Sequence, residues 1–446
     1  MQHLSRLLLC WGVAAVLIHM SAHEAVATPR MSLTAGTPCS GCHYSPNGGG
    51  GRTDLGWSSM SKVGAITYDQ IGLKALHDQH SNMIKELVSV GFDMRVQGAR
   101  LGEPTYQGKG LTPKIPEYGF FPMQFQPYLA IKPLEKLTIY GSVLPGPNSA
   151  EGDITTHRYP GMSSFEWWAS YSFGATAPQL RVGKFQPTFG IRHDDHTMLI
   201  RNDALTRQTP MIPPNFTEVG AELSYQPKRW LRAEVGGFNT RYLRESFDTR
   251  IEDISIPSYA VVSRLTFLPQ FSFTIASDKE ESAGDDDFGD AFGDDAFGDD
   301  DAFGDGGFGG TPLTVNTWFG VSSYYSGQFH LLNGFMGAGM SNGLSMVAEL
   351  SFRDNPNQGQ KTYQQLNSLV GLNYAWRDWL VLNARVERGQ TEYLTETLDE
   401  VAVAWQYVAG LEFFPLPYLE VRPEYRVVDT YDYIFDQLTV QVHLFY

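Results

Sequence analysis

The composition of this chain excludes some classes of protein and leaves two open. A net charge of −16 over 446 residues argues against nucleic-acid binding, which needs a basic surface. After residue 27 the sequence contains no apolar run of about 18 residues, the length at which a helix can span a bilayer. With 45 glycines and 13% aromatic residues, the chain fits a large secreted β protein or a transmembrane β-barrel.

The first 27 residues have the three parts of a secretory signal peptide. Arg6 supplies the positive start, Leu7–Met20 forms a 14-residue apolar run, and Ala25-Val26-Ala27 offers small residues for cleavage. The apolar run is too short to span a bilayer as a helix. We therefore expect residues 1–27 to be removed from an exported protein.

A five-residue motif, Cys39-Ser40-Gly41-Cys42-His43, follows the signal peptide closely. Two thiols three positions apart can add to the vinyl groups of one haem, and a histidine directly after the second thiol can ligate its iron. Of the three cysteines, Cys10 lies in the signal peptide, so only this pair remains after export. A disulfide or a reduced redox pair is the alternative, whereas a zinc site would need further ligands nearby. The motif predicts one covalent haem c, held by Cys39 and Cys42, with His43 on the iron.

Residues 28–82 form the segment that carries this motif, and about 55 residues are too few to enclose a haem on every side. We expect the segment to pack against or inside the domain that follows. The run Gly48-Gly49-Gly50-Gly51 predicts a turn or a close approach of the backbone. The second axial ligand stays open: five-coordinate iron, a residue of the following domain, or one of Met60, His77, His80 and Met83.

From residue 83 to residue 446, apolar and polar residues alternate along many short stretches. In one of them Val88, Val90, Phe92, Met94 and Val96 alternate with Ser89, Gly91, Asp93, Arg95 and Gln97. The same period recurs over 380–387, 419–427 and 438–446. Lipid on one face and a watery lumen on the other explain such a period of two. The sequence thus predicts an all-β fold, a transmembrane antiparallel outer-membrane β-barrel, with the short c-type haem segment at its N-terminus.

The predicted connections are of two kinds, as in bacterial outer-membrane barrels. Short turns are predicted at 132–136, 226–229, 268–270, 377–378 and 415–417. Long polar loops, expected at the opposite rim, cover 98–120, 145–164, 184–217, 239–258, 278–312 and 388–399. About 17 strand candidates result, whereas a barrel with both termini at one rim needs an even number. We predict about 16 strands, with about 18 as the alternative, and expect the three stretches within 313–353 not all to be full spans.

An acidic low-complexity tract, Gly284–Gly310, lies within the predicted loop 278–312. Ten aspartates fall between Asp285 and Asp305 without one basic residue. Such a block repels itself and does not fold alone. As a long extracellular loop it is expected to be a solvated chain or a collector of hard divalent cations. Its interleaved phenylalanines would also suit contact with a partner or a mineral surface.

A second cluster of polar residues lies in the predicted loop 184–217. The stretch Arg192-His193-Asp194-Asp195-His196 sets two imidazoles three positions apart with two carboxylates between them. Long barrel loops can fold inward and narrow the pore. We favour an ion-paired loop at a constriction, and the alternative is a metal or electron entry point above the haem.

With the haem motif first and a barrel behind it, the chain resembles the fused monohaem cytochrome c–porin family, outer-membrane proteins of iron-oxidising bacteria. The resemblance extends over the mature chain as an order of parts, and it is specific at Cys39, Cys42 and His43. It implies an outer-membrane location, surrounding outer-membrane lipid and one haem c. It also implies a periplasmic cytochrome as electron carrier and an extracellular metal ion or mineral, ferrous iron among them, as the other partner.

The sequence therefore predicts an electron conduit across the outer membrane, and it leaves open whether the protein also acts as an extracellular metal oxidoreductase. The alternative is a diffusion porin whose haem segment is a plug or a redox sensor. A cell-surface adhesin is a third and weaker hypothesis. The sequence contains no catalytic triad, zinc signature or phosphate loop.

Overall fold

The computed structural model describes residues 29–34, 36, 38–73, 83–84, 87–102, 105–106, 118–143, 165–174, 177–193, 198–201, 216–241, 243–244, 257–273, 313–327, 329–356, 362–394, 399–430 and 433–446. The predicted signal peptide, His77, His80 and the acidic tract 284–310 lie outside these residues. No helix within the described ranges is long and apolar enough to cross a membrane.

Antiparallel strands account for most of the described chain. Their bounds are β1 Met83–Ile84, β2 Val88–Leu101, β3 Thr105–Tyr106, β4 Tyr118–Leu134, β5 Leu137–Val143, β6 Phe165–Ser172, β7 Gln179–Phe185, β8 Glu218–Lys228, β9 Leu231–Asn239, β10 Tyr259–Phe267, β11 Gln270–Phe273, β12 Leu313–Ser326, β13 Phe329–Met340, β14 Leu344–Pro356, β15 Thr362–Arg377, β16 Leu380–Leu394, β17 Asp399–Leu416, β18 Leu419–Asp429 and β19 Tyr433–Phe445.

These strands form one closed sheet. β19 pairs with β2, from Gln437 opposite Leu101 to Phe445 opposite Asp93, so the sheet has no free edge there. β1 and β3 are two-residue additions beside β2 and β19, and β11 continues the line of β10. The wall is a closed barrel of 16 antiparallel strands, which confirms the predicted fold class and strand number.

Residues 268–270, predicted as a turn, instead lie within one continuous strand line. β10 and β11 both pair with β12 in a single register, with Phe267 opposite Phe319 and Gln270 opposite Asn316. Pro269 accepts a hydrogen bond from Thr317 N (3.1 Å) on the β12 side. An N–H at this position would point to the same side, so the ladder with β12 lacks one bond there, while Thr317 Oγ1 adds a second donor to Pro269 O (2.9 Å). β12, β13 and β14 are all full spans, so the expectation that one of them falls short is wrong.

The two faces of the wall differ as the alternation predicts. On β2, Val90 and Met94 point outward and are exposed, whereas Asp93 and Gln97 point into the lumen and are buried. β19 repeats the pattern, with an exposed apolar outer set (Leu438, Val440, Val442, Leu444). An apolar exterior around a polar interior is the arrangement of a barrel that sits in lipid.

The barrel has a short-turn rim and a long-loop rim. The short-turn rim holds the turns 135–136, 229–230, 341–343, 378–379 and 417–418 together with Tyr446. The long-loop rim holds the connections 102–117, 144–164, 186–217 and 240–258. The connections at this rim become short after β12, and the predicted loop 388–399 shrinks to 395–398 because β16 extends to Leu394.

The acidic tract joins two strands at the short-turn rim. Strand direction alternates around the wall, and Phe273 at the end of β11 lies opposite Leu313 at the start of β12. The prediction that 278–312 belongs with the long loops of the opposite rim is therefore wrong. The error follows from the turn predicted at 268–270. That turn added one crossing of the barrel before the tract, so the strand leading into the tract was assigned to end at the wrong rim.

Residues 29–73 lie inside the short-turn end of the lumen, one of the two arrangements expected for the haem segment. They contain three short helices, α1 Pro29–Thr34, α2 Cys39–Cys42 and α3 Asp54–Ser58. Leu33 in α1 is fully buried against Trp318, Phe335 and Val347, which project inward from β12, β13 and β14. Further along, Ala65 N donates to Phe414 O (2.8 Å) beside the 417–418 turn.

Candidate functional site

The haem-attachment motif occupies a single helical turn. Pro38 precedes α2, Gly41 N donates to Pro38 O (2.8 Å), and His43 N donates to Cys39 O (2.9 Å). Residues three and four positions apart on a helix lie on the same face. Cys39, Cys42 and His43 are therefore brought to one side of the turn by the local sequence alone.

Both motif cysteines are free thiols and partly exposed. The disulfide considered from the sequence is thus absent from these described residues. Burial raises the pKa of the Cys42 thiol, the neighbouring Cys39 raises it further, and Arg52 opposes them. At neutral pH the thiol is therefore kept in its protonated form.

A hairpin folds back over the motif directly after His43. His43 and Arg52 face each other in an antiparallel bridge, and Tyr44 N donates to Gly51 O (3.0 Å). Gly48 has a φ of +80°, a left-handed conformation that glycine adopts without strain. A Cβ on Gly48 would lie 3.8 Å from Cys39 Sγ and 3.9 Å from the Cδ2 atom of His43. The four glycines thus form the predicted turn, and the bare backbone of one of them lies against the motif.

Arg52 ties this hairpin to the barrel wall through buried charges. Its Nη1 donates to Asp93 Oδ1 (3.1 Å), and its guanidinium lies 4.3 Å from the ring centroid of Phe445. Asp93 Oδ1 also lies 3.2 Å from Nε2 of His443, whose Nδ1 lies 3.1 Å from Glu420. We call these four groups, Arg52, Asp93, His443 and Glu420, the ionic anchor. It joins the motif segment to β2, β18 and β19.

Neutral and charged groups of other strands hold the same segment from the opposite side. Gly51 N donates to Tyr140 Oη (3.1 Å), and Tyr140 stacks on Trp168 with ring centroids 4.9 Å apart. Arg181 donates to Ser45 Oγ (3.4 Å) and is paired with Glu222 (2.7 Å). In addition, Arg232 donates to Ser40 Oγ (3.3 Å), beside the first cysteine.

An aromatic cluster closes the segment at the short-turn rim. Trp57 stacks on Tyr418 (ring centroids 5.3 Å), and Tyr418 Oη donates to Trp57 O (3.2 Å). Met60, a sixth-ligand candidate, is 1% exposed and packs in this cluster with Phe414 and Phe445. Met83, the other described candidate, accepts a hydrogen bond from Tyr44 Oη at 3.6 Å. The sixth ligand therefore stays a prediction.

Part of the loop 186–217 folds into the lumen above the segment. Glu349 on β14 receives hydrogen bonds from Ile191 N (3.1 Å) and from Arg201 Nη2 (2.6 Å), and it contacts His193 Nε2 (2.7 Å). Arg192 reaches down and donates to Gly48 O (3.0 Å). The favoured hypothesis of an ion-paired inward loop is confirmed for the described residues.

The metal entry point proposed for the same loop has less support. Asp194, Asp195 and His196 lie outside the described residues, and His193 is engaged with Glu349. Within the part of the chain that the structure describes, no cluster of three or more histidine, cysteine and acidic side chains is placed to hold a metal ion.

The residues at the motif fit the covalent haem that the sequence predicts. The two thiols are free, the histidine shares their face of the helical turn, and glycine backbone at Gly48 lies beside them. Sequence reasoning found these groups but missed Arg52, Tyr140 and the ionic anchor. The strand alternation indicates that Asp93 and His443 point inward, but it does not indicate which residues they contact.

Comparison with known proteins adds resemblances of fold. No protein-family model and no curated protein matches the chain. Among solved structures, an outer-membrane channel, DcaP of Acinetobacter baumannii, is 10% identical with a TM-score of 0.49, over 80% of this chain and 97% of that one. An anion-selective porin from Comamonas acidovorans is 9% identical with a TM-score of 0.46, over 80% and 99%. A loop L8 deletion mutant of OmpT from Vibrio cholerae is 10% identical with a TM-score of 0.45, over 80% and 99%.

Proposed function

We propose that this protein is an outer-membrane electron conduit in which a haem-bearing segment is held inside a 16-stranded barrel. The observation that carries the proposal is the position of the Cys39–His43 turn inside the lumen, anchored to the wall on several sides. A covalent redox cofactor so placed has no role in simple diffusion through a pore. The resemblance to fused monohaem cytochrome c–porins supports the same function.

Each residue of the motif has a separate task. Cys39 and Cys42 would hold the haem through thioether bonds, and His43 would ligate its iron. When bound, haem c supplies a one-electron redox centre. Arg52 and Asp93 fix the hairpin that follows the motif, and Tyr140 holds the neighbouring Gly51. These contacts set the position of the attachment turn relative to the wall.

The barrel and the inward loop keep water and solutes out of the path. Lumen-facing groups at mid-barrel are deeply buried, with Glu387 and Asn367 fully inaccessible. Asn367 donates to Leu199 O (2.7 Å), so the inward loop packs directly on the wall. A lumen filled in this way separates the redox centre from the water at the long-loop rim.

The partners follow from the two rims. In bacterial barrels the short turns face the periplasm and the long loops face outside. The haem segment lies at the short-turn end, so a periplasmic cytochrome is the carrier that meets it most directly. The partner at the long-loop rim is an extracellular metal ion or mineral, with ferrous iron as the substrate that the family resemblance suggests.

A liposome experiment tests the conduit. Purified protein is inserted into vesicles loaded with a soluble c-type cytochrome, and a bulky impermeant reductant is added outside while haem absorbance is followed. We expect the internal pool to be reduced by the wild type. A Cys42→Ala protein that still forms a barrel should lose this activity. Equal internal reduction by both proteins would overturn the proposal.

One observation favours a second function, a channel closed by the haem segment and the inward loop. Glu349 contacts Ile191, His193 and Arg201, so one buried carboxylate holds three residues of the inward loop. Redox-dependent release of this closure would make the protein a regulated porin. Solute flux into the same vesicles, compared with the haem oxidised and reduced, separates the two functions. A flux that depends on redox state, without internal cytochrome reduction, would support the regulated porin.

A further inference from the structure

A groove runs along the outer face of the barrel near the long-loop rim. It has a volume of about 390 Å³ and lies across three neighbouring strands, β19, β2 and β4. In register, Gly98 lies between Phe120 and Val440, and one row nearer the rim Arg100 lies between Tyr118 and Leu438. The groove thus has a floor at Gly98 and a cation at its rim end.

The missing side chain of Gly98 makes the groove. A Cβ there would meet no atom closer than Phe120 Cδ2 at 4.0 Å, so the position is open. The walls on both sides are apolar and strongly exposed, with Phe120 at 79% and Leu438 at 43%. A furrow of this shape between side-chain ridges suits one extended hydrocarbon chain, which buries its surface against the walls.

Arg100 gives the groove a preference for a ligand with a negatively charged group. It points outward and is exposed, on a face where an arginine is costly at the bilayer midplane and nearly neutral at the headgroup level. Two residues along a strand span about 7 Å, so its guanidinium stands at the rim end of a chain lying over Gly98. A phosphate is the anionic group that an arginine fork binds best at such a level.

We propose that this groove binds lipid A, the phosphorylated glycolipid of the outer leaflet, with an acyl chain over Gly98 and a phosphate at Arg100. The choice of leaflet rests on the orientation given under the proposed function, in which the long-loop rim faces outside. Asp436 lies one row nearer the rim, beside Gly102, and its carboxylate opposes an anion. The site therefore carries one attractive and one repulsive charge.

Binding of purified lipid A to the delipidated full-length protein, measured by native mass spectrometry, tests the proposal. Arg100→Gln should weaken binding about fivefold, the contribution of one basic residue at a lipid surface. Gly98→Leu should weaken it as well by filling the furrow, and Asp436→Asn should strengthen it. Gly334→Leu is the matched control, because Gly334 also has open space beside it, between outward Val321 and Leu350, and the rows on either side of it hold no cation.

Four outcomes would overturn the proposal: equal binding by all variants, equal loss in Gly334→Leu, equal affinity for phosphatidylglycerol, or a dimer that Gly98→Leu dissociates. The last would assign the groove to a second copy of the chain. Cys42→Ala protein should bind lipid A like the wild type. The lipid A binding result can therefore be interpreted even if the conduit proposal fails. The conduit result can likewise be interpreted if lipid A does not bind.

Discussion

At the scale of single residues, the ionic anchor contains a buried ion pair between the motif segment and the barrel wall. Asp93 and Arg52 are both almost completely buried, with 4% and 10% of their side chains exposed. Removing one partner of such a pair leaves the other charge without compensation, at a cost of about 3–5 kcal/mol. The barrel ladder itself does not depend on either side chain. The anchor should therefore fail locally, before the wall unfolds.

Asp93→Asn should accordingly release the segment while the barrel stays folded. We expect faster proteolysis within residues 29–73, with unchanged heat-modifiable migration of the barrel on gels. Glu424→Gln is the control, since Glu424 is a buried lumen carboxylate paired with Arg422 and Arg426 rather than with this segment. Equal protection of the segment in Asp93→Asn and the wild type would show that the anchor is not needed to hold it.

Two glycines of the motif segment, Gly51 and Gly72, offer a second test, in which packing and backbone strain make opposite predictions. A Cβ on Gly51 would lie 2.6 Å from Tyr140 Cε2 and 2.9 Å from Tyr128 Cδ2, both on buried rings that cannot easily move. Overpacking of this kind costs about 1–3 kcal/mol. Gly72, by contrast, has a φ of +75° and nothing within 4 Å.

Gly51→Ala should therefore reduce the haem content per folded barrel more than Gly72→Ala does. Of these two substitutions only Gly72→Ala puts a side chain on a left-handed backbone, and Gly72 lies outside the hairpin. An equal or larger effect of Gly72→Ala would therefore mean that the contact with Tyr140 does not govern the haem content. The pyridine haemochrome absorbance of each purified barrel, divided by its protein concentration, gives the comparison.

At the scale of elements, the inward loop is a separate unit with its own latch. Glu349 is 3% exposed and receives three groups of the loop, Ile191 N, His193 Nε2 and Arg201 Nη2. Another bond from β14 involves a neutral group, with Arg201 Nη1 donating to Ser351 Oγ (3.2 Å). Neutralising this carboxylate leaves the buried guanidinium of Arg201 without the negative charge that compensates it.

Glu349→Gln should thus open the lumen above the motif. We expect a higher single-channel conductance in planar bilayers than the wild type gives, together with normal haem content, because the motif segment is anchored elsewhere. Glu424→Gln again serves as the control variant. Unchanged conductance in Glu349→Gln would mean that the closure rests on other contacts of the loop or on the motif segment itself.

The structure of an element could be predicted from the sequence where the residues of that element alone determine it. The alternation along β2 and β19 gave the outward face, and the spacing of Cys39, Cys42 and His43 gave the attachment turn. Leu268-Pro269 misled, because proline usually ends a strand, whereas here β10 and β11 keep one register with β12 on both sides of the proline. The ionic anchor joins residues 23 to 350 positions apart, and no local pattern in the sequence indicates such partners.

At the scale of the whole molecule, the strand directions show that the acidic tract joins strands at the short-turn rim, opposite to the rim predicted from the sequence. Its flanking residues, Phe273 and Leu313, are paired at the rim that also holds the 417–418 turn and Tyr446. The haem segment lies at the same end. Ten aspartates placed outside would suit capture of extracellular cations, whereas in the orientation proposed above they would charge the periplasmic mouth instead.

Surface labelling of an epitope tag in the tract settles which side it faces. A tag inserted between Asp299 and Asp300 should stay hidden from antibody on intact cells and become accessible after the outer membrane is permeabilised. A tag placed within 395–398, which joins β16 to β17 at the opposite rim, should be labelled on intact cells. Both expectations follow from strand direction, so they stand or fall together. Labelling of the 299–300 tag alone on intact cells would show that the barrel has the opposite orientation in the membrane. The motif segment and the acidic tract would then both belong to the extracellular end.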